Sequence, residues 1–81
     1  MIIVLKKEAV KSFTRLPTSE RQRIVRKLNF LKDNPLLGKP LQGKYKGLFS
    51  LRAWPYRIIY RIEKKNVVIY SVAHRQGAYK S

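Results

Sequence analysis

Eighty-one residues give this chain room for one domain and one hydrophobic core, because a chain of this size buries only about 60% of the surface it exposes when unfolded. Nineteen Lys and Arg against four Asp and Glu leave a formal charge of +15, which exceeds what solubility needs, repels itself within the fold and points to a polyanionic partner. The lack of cysteine excludes disulfides and thiolate metal sites, and one histidine with four scattered acids (Glu8, Glu20, Asp33, Glu63) argues against a carboxylate-imidazole cluster, so the expected chemistry needs no metal and no cofactor.

Met1 to Lys6 reads as a short apolar strand whose neighbour in a sheet the sequence does not fix. It is too short for a signal-peptide core, its lysines follow rather than precede it, and no run approaches membrane-spanning length; a cytoplasmic protein with no membrane partner is expected. Glu8 to Leu16 places Ala9, Val10, Phe13 and Leu16 at helical spacing, with Glu8 near the positive end of the dipole and Pro17 as the stop. Thr18 is the expected N-cap of a second helix that runs to about Asp33, with Glu20 in its first turn and Ile24, Val25, Leu28 and Leu31 as its apolar stripe. Arg21, Arg23, Arg26, Lys27 and Lys32 fall mostly off that stripe, a pattern that fits a solvated face and a phosphate-binding face equally well. Asn34-Pro35 stops the helix.

Pro35 to Gly47, with two prolines and three glycines, reads as a loop. Its Lys44-Tyr45-Lys46 triplet suits backbone contact plus base stacking and is also ordinary for an exposed loop. From Leu48 to Arg75 the pattern changes to three antiparallel strands. Phe49, Leu51 and Ala53 alternate with Ser50 and Arg52; Tyr56, Ile58, Tyr60 and Ile62 alternate with Arg57, Ile59, Arg61 and Glu63; Val67 to Ala73 is a mostly β-branched run, as in a strand buried on both faces. Trp54-Pro55 separates the first two strands, and Lys64-Lys65-Asn66 is expected as a three-residue loop between the others.

With these loops Arg52 lies opposite Arg57, Leu51 opposite Ile58 and Phe49 opposite Tyr60, while Ile62 meets Val68, Ile58 meets Val72 and Ala73 meets Arg57. One face is then almost wholly apolar and the other carries Ser50, Arg52, Arg57, Arg61, Ser71 and Arg75. Solvent-facing strand arginines, one of them paired with Glu63, would be the plain structural account. Like charges directly across a hairpin are destabilising, however, and neither flank of the Arg52/Arg57 pair carries an acid, which favours an anion site. His74, with an unperturbed pKa near neutrality, fits a proton relay or a hydrogen-bonded strand end. Tyr79 fits base stacking, acid catalysis or pinning of the tail. Trp54, beside Pro55, is read as a hydrophobic plug rather than a stacking platform.

The order of strand, two helices and three strands, with Tyr56-Arg57-Ile58-Ile59-Tyr60 in the hairpins, Val72-Ala73-His74-Arg75 closing the last strand and Tyr79 near the C-terminus, resembles the RelE/ParE toxin superfamily, most closely its RelE-type branch with its archaeal members. The resemblance covers essentially the whole chain. It implies a single α+β domain over residues 1–81, built β-α-α-β-β-β around one sheet, and a ribonuclease toxin that enters the ribosomal A site and cleaves mRNA. A RelB-type antitoxin would silence it in a toxin-antitoxin hetero-oligomer; mRNA, rRNA and the ribosome are the other implied partners.

Such cleavage uses the RNA 2′-hydroxyl against its own adjacent phosphate. By matching position Arg57 and Arg75 would stabilise phosphoryl charge, and Tyr79 would align a base or help move a proton. Arg52, Lys44, Lys46, Ser50 and Arg61 are the expected RNA or phosphate contacts. Better-known members carry basic residues where this chain has Leu48 and Ser50. The general base is therefore unassigned among Arg52, Lys44, Lys46 and His74. Two other readings stay open: the ParE-type branch, which poisons DNA gyrase, and a non-catalytic RNA-binding or ribosome-associated module.

Overall fold

The computed structural model describes residues 1–74. Strand β1 (Ile2–Leu5) leads into helices α1 (Lys7–Thr14) and α2 (Thr18–Asp33), followed by β2 (Lys39–Pro40), a 3-10 turn at Gly43–Tyr45, and strands β3 (Phe49–Ala53), β4 (Tyr56–Glu63) and β5 (Asn66–His74). The five strands form one sheet in the order β1-β5-β4-β3-β2. The expected α+β architecture is present, and β1 finds its place beside β5, the one parallel pair in that sheet.

The helices lie over one face. Ala9 of α1 and Ile24, Leu28 and Leu31 of α2 pack on Leu51, Ala53, Ile58, Tyr60, Val67, Ile69 and Val72, with Ile3, Leu5, Phe13, Leu16, Phe49, Tyr56 and Ile62 at the margin. Helix α2 begins at Thr18 itself. Pro17, not Thr18, occupies the N-cap position and its ring offers no acceptor, so no side chain caps the helix; the Thr18 hydroxyl accepts from Arg21 Nη2 at 3.1 Å. At the other end Asn34 leaves the helical region, at φ −141° and ψ 83°, in keeping with the bar on helical backbone before proline.

The segment read as a loop contributes a strand. Lys39 and Pro40 pair with Ser50 and Phe49, and Leu41 N–H donates to Leu48 O at 2.9 Å. Proline is tolerated there because β2 is the outermost strand, where a missing donor leaves no gap in a ladder. Tyr60 anchors this segment from beneath: its buried hydroxyl accepts from Gly38 N–H at 2.8 Å and donates to Pro35 O at 2.7 Å, while its ring stacks on Phe49 with centroids 5.2 Å apart. A methyl group at Gly38 would lie 2.6 Å from that hydroxyl, so only glycine fits.

The β3–β4 register is the expected one, with Arg52 opposite Arg57, Leu51 opposite Ile58 and Phe49 opposite Tyr60. The β4–β5 hairpin differs near its turn. Lys64 adopts a left-handed conformation at φ 57°, the turn contains two residues rather than three, and Ile62 pairs with Val67, not Val68. Between Ile59, opposite Ser71, and Tyr60, opposite Ile69, a β-bulge absorbs one extra residue on β5. Beyond it the expected register returns, with Ile58 opposite Val72 and Arg57 opposite Ala73. The bulge lets Val67 and Ile69 share the core face with Val72 although their spacing breaks strict alternation.

Candidate functional site

The sheet face away from the helices is where the arginines gather. Side chains directly opposite in an antiparallel pair share a face, so Arg52 of β3 and Arg57 of β4 stand side by side one residue pair in from the Trp54-Pro55 turn. Arg52 is exposed and Arg57 half-buried. Arg61, exposed, lies four residues further along β4, about 14 Å away at the rise of a strand. That is too far to share one phosphate with Arg57, but it extends the positive track toward the exposed Lys44 and Lys46 at the opposite end of β3. Lys44 sits over the Tyr45 ring, Nζ to centroid 5.3 Å. The arrangement is a cationic strip along a strand rather than a closed pocket.

Two expected members are set apart from the exposed arginines. Ser50 is on the arginine face but only 5% exposed, held within the sheet. His74 is paired with Tyr56 and so turns to the opposite face from Arg57. Its ring meets Tyr56 edge-on, with centroids 5.8 Å apart at 83°. Glu63, an arginine partner in the plain structural account, accepts from the Tyr70 hydroxyl at 3.1 Å, beside Lys6, whose Nζ lies 4.8 Å from the Tyr70 ring centroid. Arg75 and Tyr79 lie outside the described residues. Among the described residues no group of three or more His, Cys, Asp or Glu converges as metal ligands, and no helix is long and apolar enough to cross a membrane.

The hairpin end that bears Arg52 and Arg57 is fastened to α2 by contacts that the sequence did not reveal. Arg23 Nη1 donates to Trp54 O at 2.7 Å, and the Tyr56 hydroxyl donates to the Glu20 carboxylate. The hydrogen bond to Glu20, then burial and the negative charge of Glu20, raise the Tyr56 pKa above the ordinary phenol value, with Arg23 opposing. Tyr56 therefore stays a neutral donor at physiological pH and holds the tip in place. Glu20 and Arg23 stand three residues apart on α2, which puts them on one helix face; that spacing, next to the apolar stripe, was the available signal. Trp54 is 53% exposed, which corrects its reading as a plug.

A family model described as the ParE toxin of type II toxin-antitoxin systems, parDE, matches residues 3–79. The chain belongs to the RelE/ParE toxin superfamily. A toxin-antitoxin complex, RelBE2 of Mycobacterium tuberculosis, contains a chain 33% identical to this RelE/ParE member, with a TM-score of 0.84 over 91% of this chain and 96% of that one. Toxin RelG of Mycobacterium tuberculosis is 44% identical over 46 residues, 54% of this chain and 53% of RelG, so the chain spans about half the length of that curated relative. The isolated E. coli RelE toxin shares the fold at a TM-score of 0.77 and 24% identity, covering 99% of this chain and 86% of that one.

Proposed function

We propose that this RelE/ParE member is the toxin of a type II toxin-antitoxin pair and acts as a ribosome-dependent mRNA endonuclease. The observation that carries the reading is the pair of like-charged guanidinium groups, Arg52 and Arg57, set directly across the β3–β4 hairpin on the open face. Two planar forks side by side on one face are matched to the oxygens of a phosphate set between them. In the proposed reaction the 2′-hydroxyl of the preceding ribose attacks the phosphorus, and its proton passes to a base. The P–O5′ bond breaks, and the leaving oxygen takes up a proton. The products are a 2′,3′-cyclic phosphate and a 5′-hydroxyl.

Arg57 faces the phosphoryl oxygens on which charge grows, and Arg52 holds the same or the adjacent phosphate. Arg75 and Tyr79 keep the roles that the resemblance implies, and Arg61, Lys44 and Lys46 follow the backbone. Ser50, being buried, and His74, on the other face, are poor candidates for the base. Lys44 and Lys46 lie at the far end of β3. The base is left to the residues that the RNA and the ribosome bring against this face. An acidic antitoxin segment would silence the protein by neutralising the same strip, in keeping with the relative found in a toxin-antitoxin complex.

The test is primer extension on mRNA bound to programmed ribosomes, with the native chain, the Arg57→Ala chain and ribosome-free mRNA. Position-specific cuts in the A-site codon are expected from the native chain alone. Removal of one preorganised charge-stabilising group commonly costs about 10²–10³ in rate, so Arg57→Ala should lower cutting by that factor. A second reading, poisoning of DNA gyrase, draws on Leu48 and the buried Ser50, which put no cation where the chain enters β3. Cleaved gyrase-DNA complexes in place of cut mRNA would transfer the assignment to it. A third, a non-catalytic RNA module, would show binding weakened by Arg57→Ala and no cut.

A further inference from the structure

We infer that Trp54 is a base-stacking platform that takes the face of one unpaired nucleobase of the RNA whose phosphates Arg52 and Arg57 hold. The inference rests on the RNA-binding reading of the arginine face.

Trp54 is the only tryptophan in the chain. It occupies the two-residue turn between β3 and β4 and leaves 53% of its surface in solvent, whereas tryptophan is on average a highly buried residue. The turn is firmly held. Arg23 grips the Trp54 carbonyl at 2.7 Å, Ala53 on one side is 1% exposed within the core, and Tyr56 on the other is tied to Glu20. An aromatic surface on a fixed backbone gives up little freedom when a flat partner settles on it.

Position supplies the chemistry. Arg52 is two residues before Trp54, about 7 Å at the rise of a strand, and Arg57 is its cross-strand partner. The indole and both guanidinium groups therefore issue from the same end of one hairpin. Cations on the phosphates with an aromatic ring on the base is the combination by which proteins hold single-stranded nucleic acid, and the ring tolerates every base because each has a π-face. A protein partner would also use an exposed tryptophan as an anchor. The adjacent pair of planar, phosphate-matching forks favours RNA.

Because Trp54 is the sole indole, its emission reports one site. A short single-stranded RNA carrying a terminal fluorescein would be titrated into the folded chain, following indole emission and fluorescein anisotropy together, and again with an RNA whose central bases are abasic. Saturable quenching with the same midpoint as the anisotropy is expected for the intact RNA, with weak quenching for the abasic one. Trp54→Leu, shown folded by circular dichroism, should weaken binding about five- to a hundred-fold. Its salt slope should stay that of the native chain, since no phosphate contact is lost. Trp54→Phe should keep most of the affinity.

Binding without quenching, or unchanged affinity in Trp54→Leu, would overturn the stacking role and leave the arginine face standing. Absence of RNA binding in every chain would overturn the stacking role together with the RNA reading. Quenching or blue-shifted emission produced only by an antitoxin peptide would replace the stacking role with that of a protein anchor.

Discussion

Along β4, Ile58 and Tyr60 turn toward the helices and are fully buried, whereas Arg57 and Arg61, each one residue removed, stand on the open face. The two faces answer to different forces. On the covered face the side chains are placed by apolar area removed from water, so any loss of volume is felt at once. On the other face Arg52 and Arg61 are placed by access to water, and under the proposed function by what they bind. Neighbouring residues on one strand should therefore respond to substitution in different observables, stability for one and binding for the other.

The contrast breaks most sharply at Ile58. Ile58→Ala should lower stability by about 2–5 kcal/mol, a large share of the roughly 5–15 kcal/mol that a domain commands. Denaturant unfolding would show the loss as a lower midpoint; an unchanged midpoint would mean that this face is not the core. Next comes Gly38→Ala, whose added methyl meets the fully buried Tyr60 hydroxyl at 2.6 Å. Overpacking of this kind costs about 1–3 kcal/mol, and the midpoint should fall again, with faster amide exchange in the β2 segment that Tyr60 anchors.

Arg52→Glu sharpens the comparison from the other side. It converts a like-charge cross-strand pair into an attractive one and should raise stability by about 0.2–1 kcal/mol while weakening RNA binding and lowering its salt slope. A variant both less stable and unable to bind would place Arg52 in the packing. The smallest effect is confined to alkaline pH. Burial raises the Tyr60 pKa, with the Gly38 amide opposing, and the hydrogen bond to Glu20 leads the rise at Tyr56. Folded-state values above the unfolded value of 10 contribute stability that is fully present below pH 10 and is lost as pH rises through the folded values. Across pH 6–9 these two groups should leave the unfolding midpoint unchanged; above pH 10 it should fall, and less steeply in Tyr60→Phe.

Much of this was legible in the residues. The Arg52/Arg57 pairing followed from clean alternation on both strands and from Trp54-Pro55 as punctuation, and β5 was readable as a strand buried on both faces. The second turn was misread because Lys64, Lys65 and Asn66 are all acceptable loop residues. Only the bulge, which the run of β-branched residues conceals, reconciles a two-residue turn with the register at Arg57. Strand β2 has no period to detect in two residues, one of them proline. The Glu20–Tyr56 and Arg23–Trp54 links join positions more than thirty residues apart, and exposure of an indole is a tertiary property that composition does not carry.

The parallel pairing of β1 with β5 also sets the order of events during synthesis. Ile2 is the register partner of Asn66 and Leu5 of Ile69, so the first strand waits for a neighbour made roughly sixty residues later. At about 5–20 residues per second that delay is on the order of 3–13 s. The arginine strip is assembled only when β3 and β4 have also emerged. A nascent chain of this design carries no finished sheet while most of it is still being translated, and under the proposed function it would reach its working surface only near the end of synthesis.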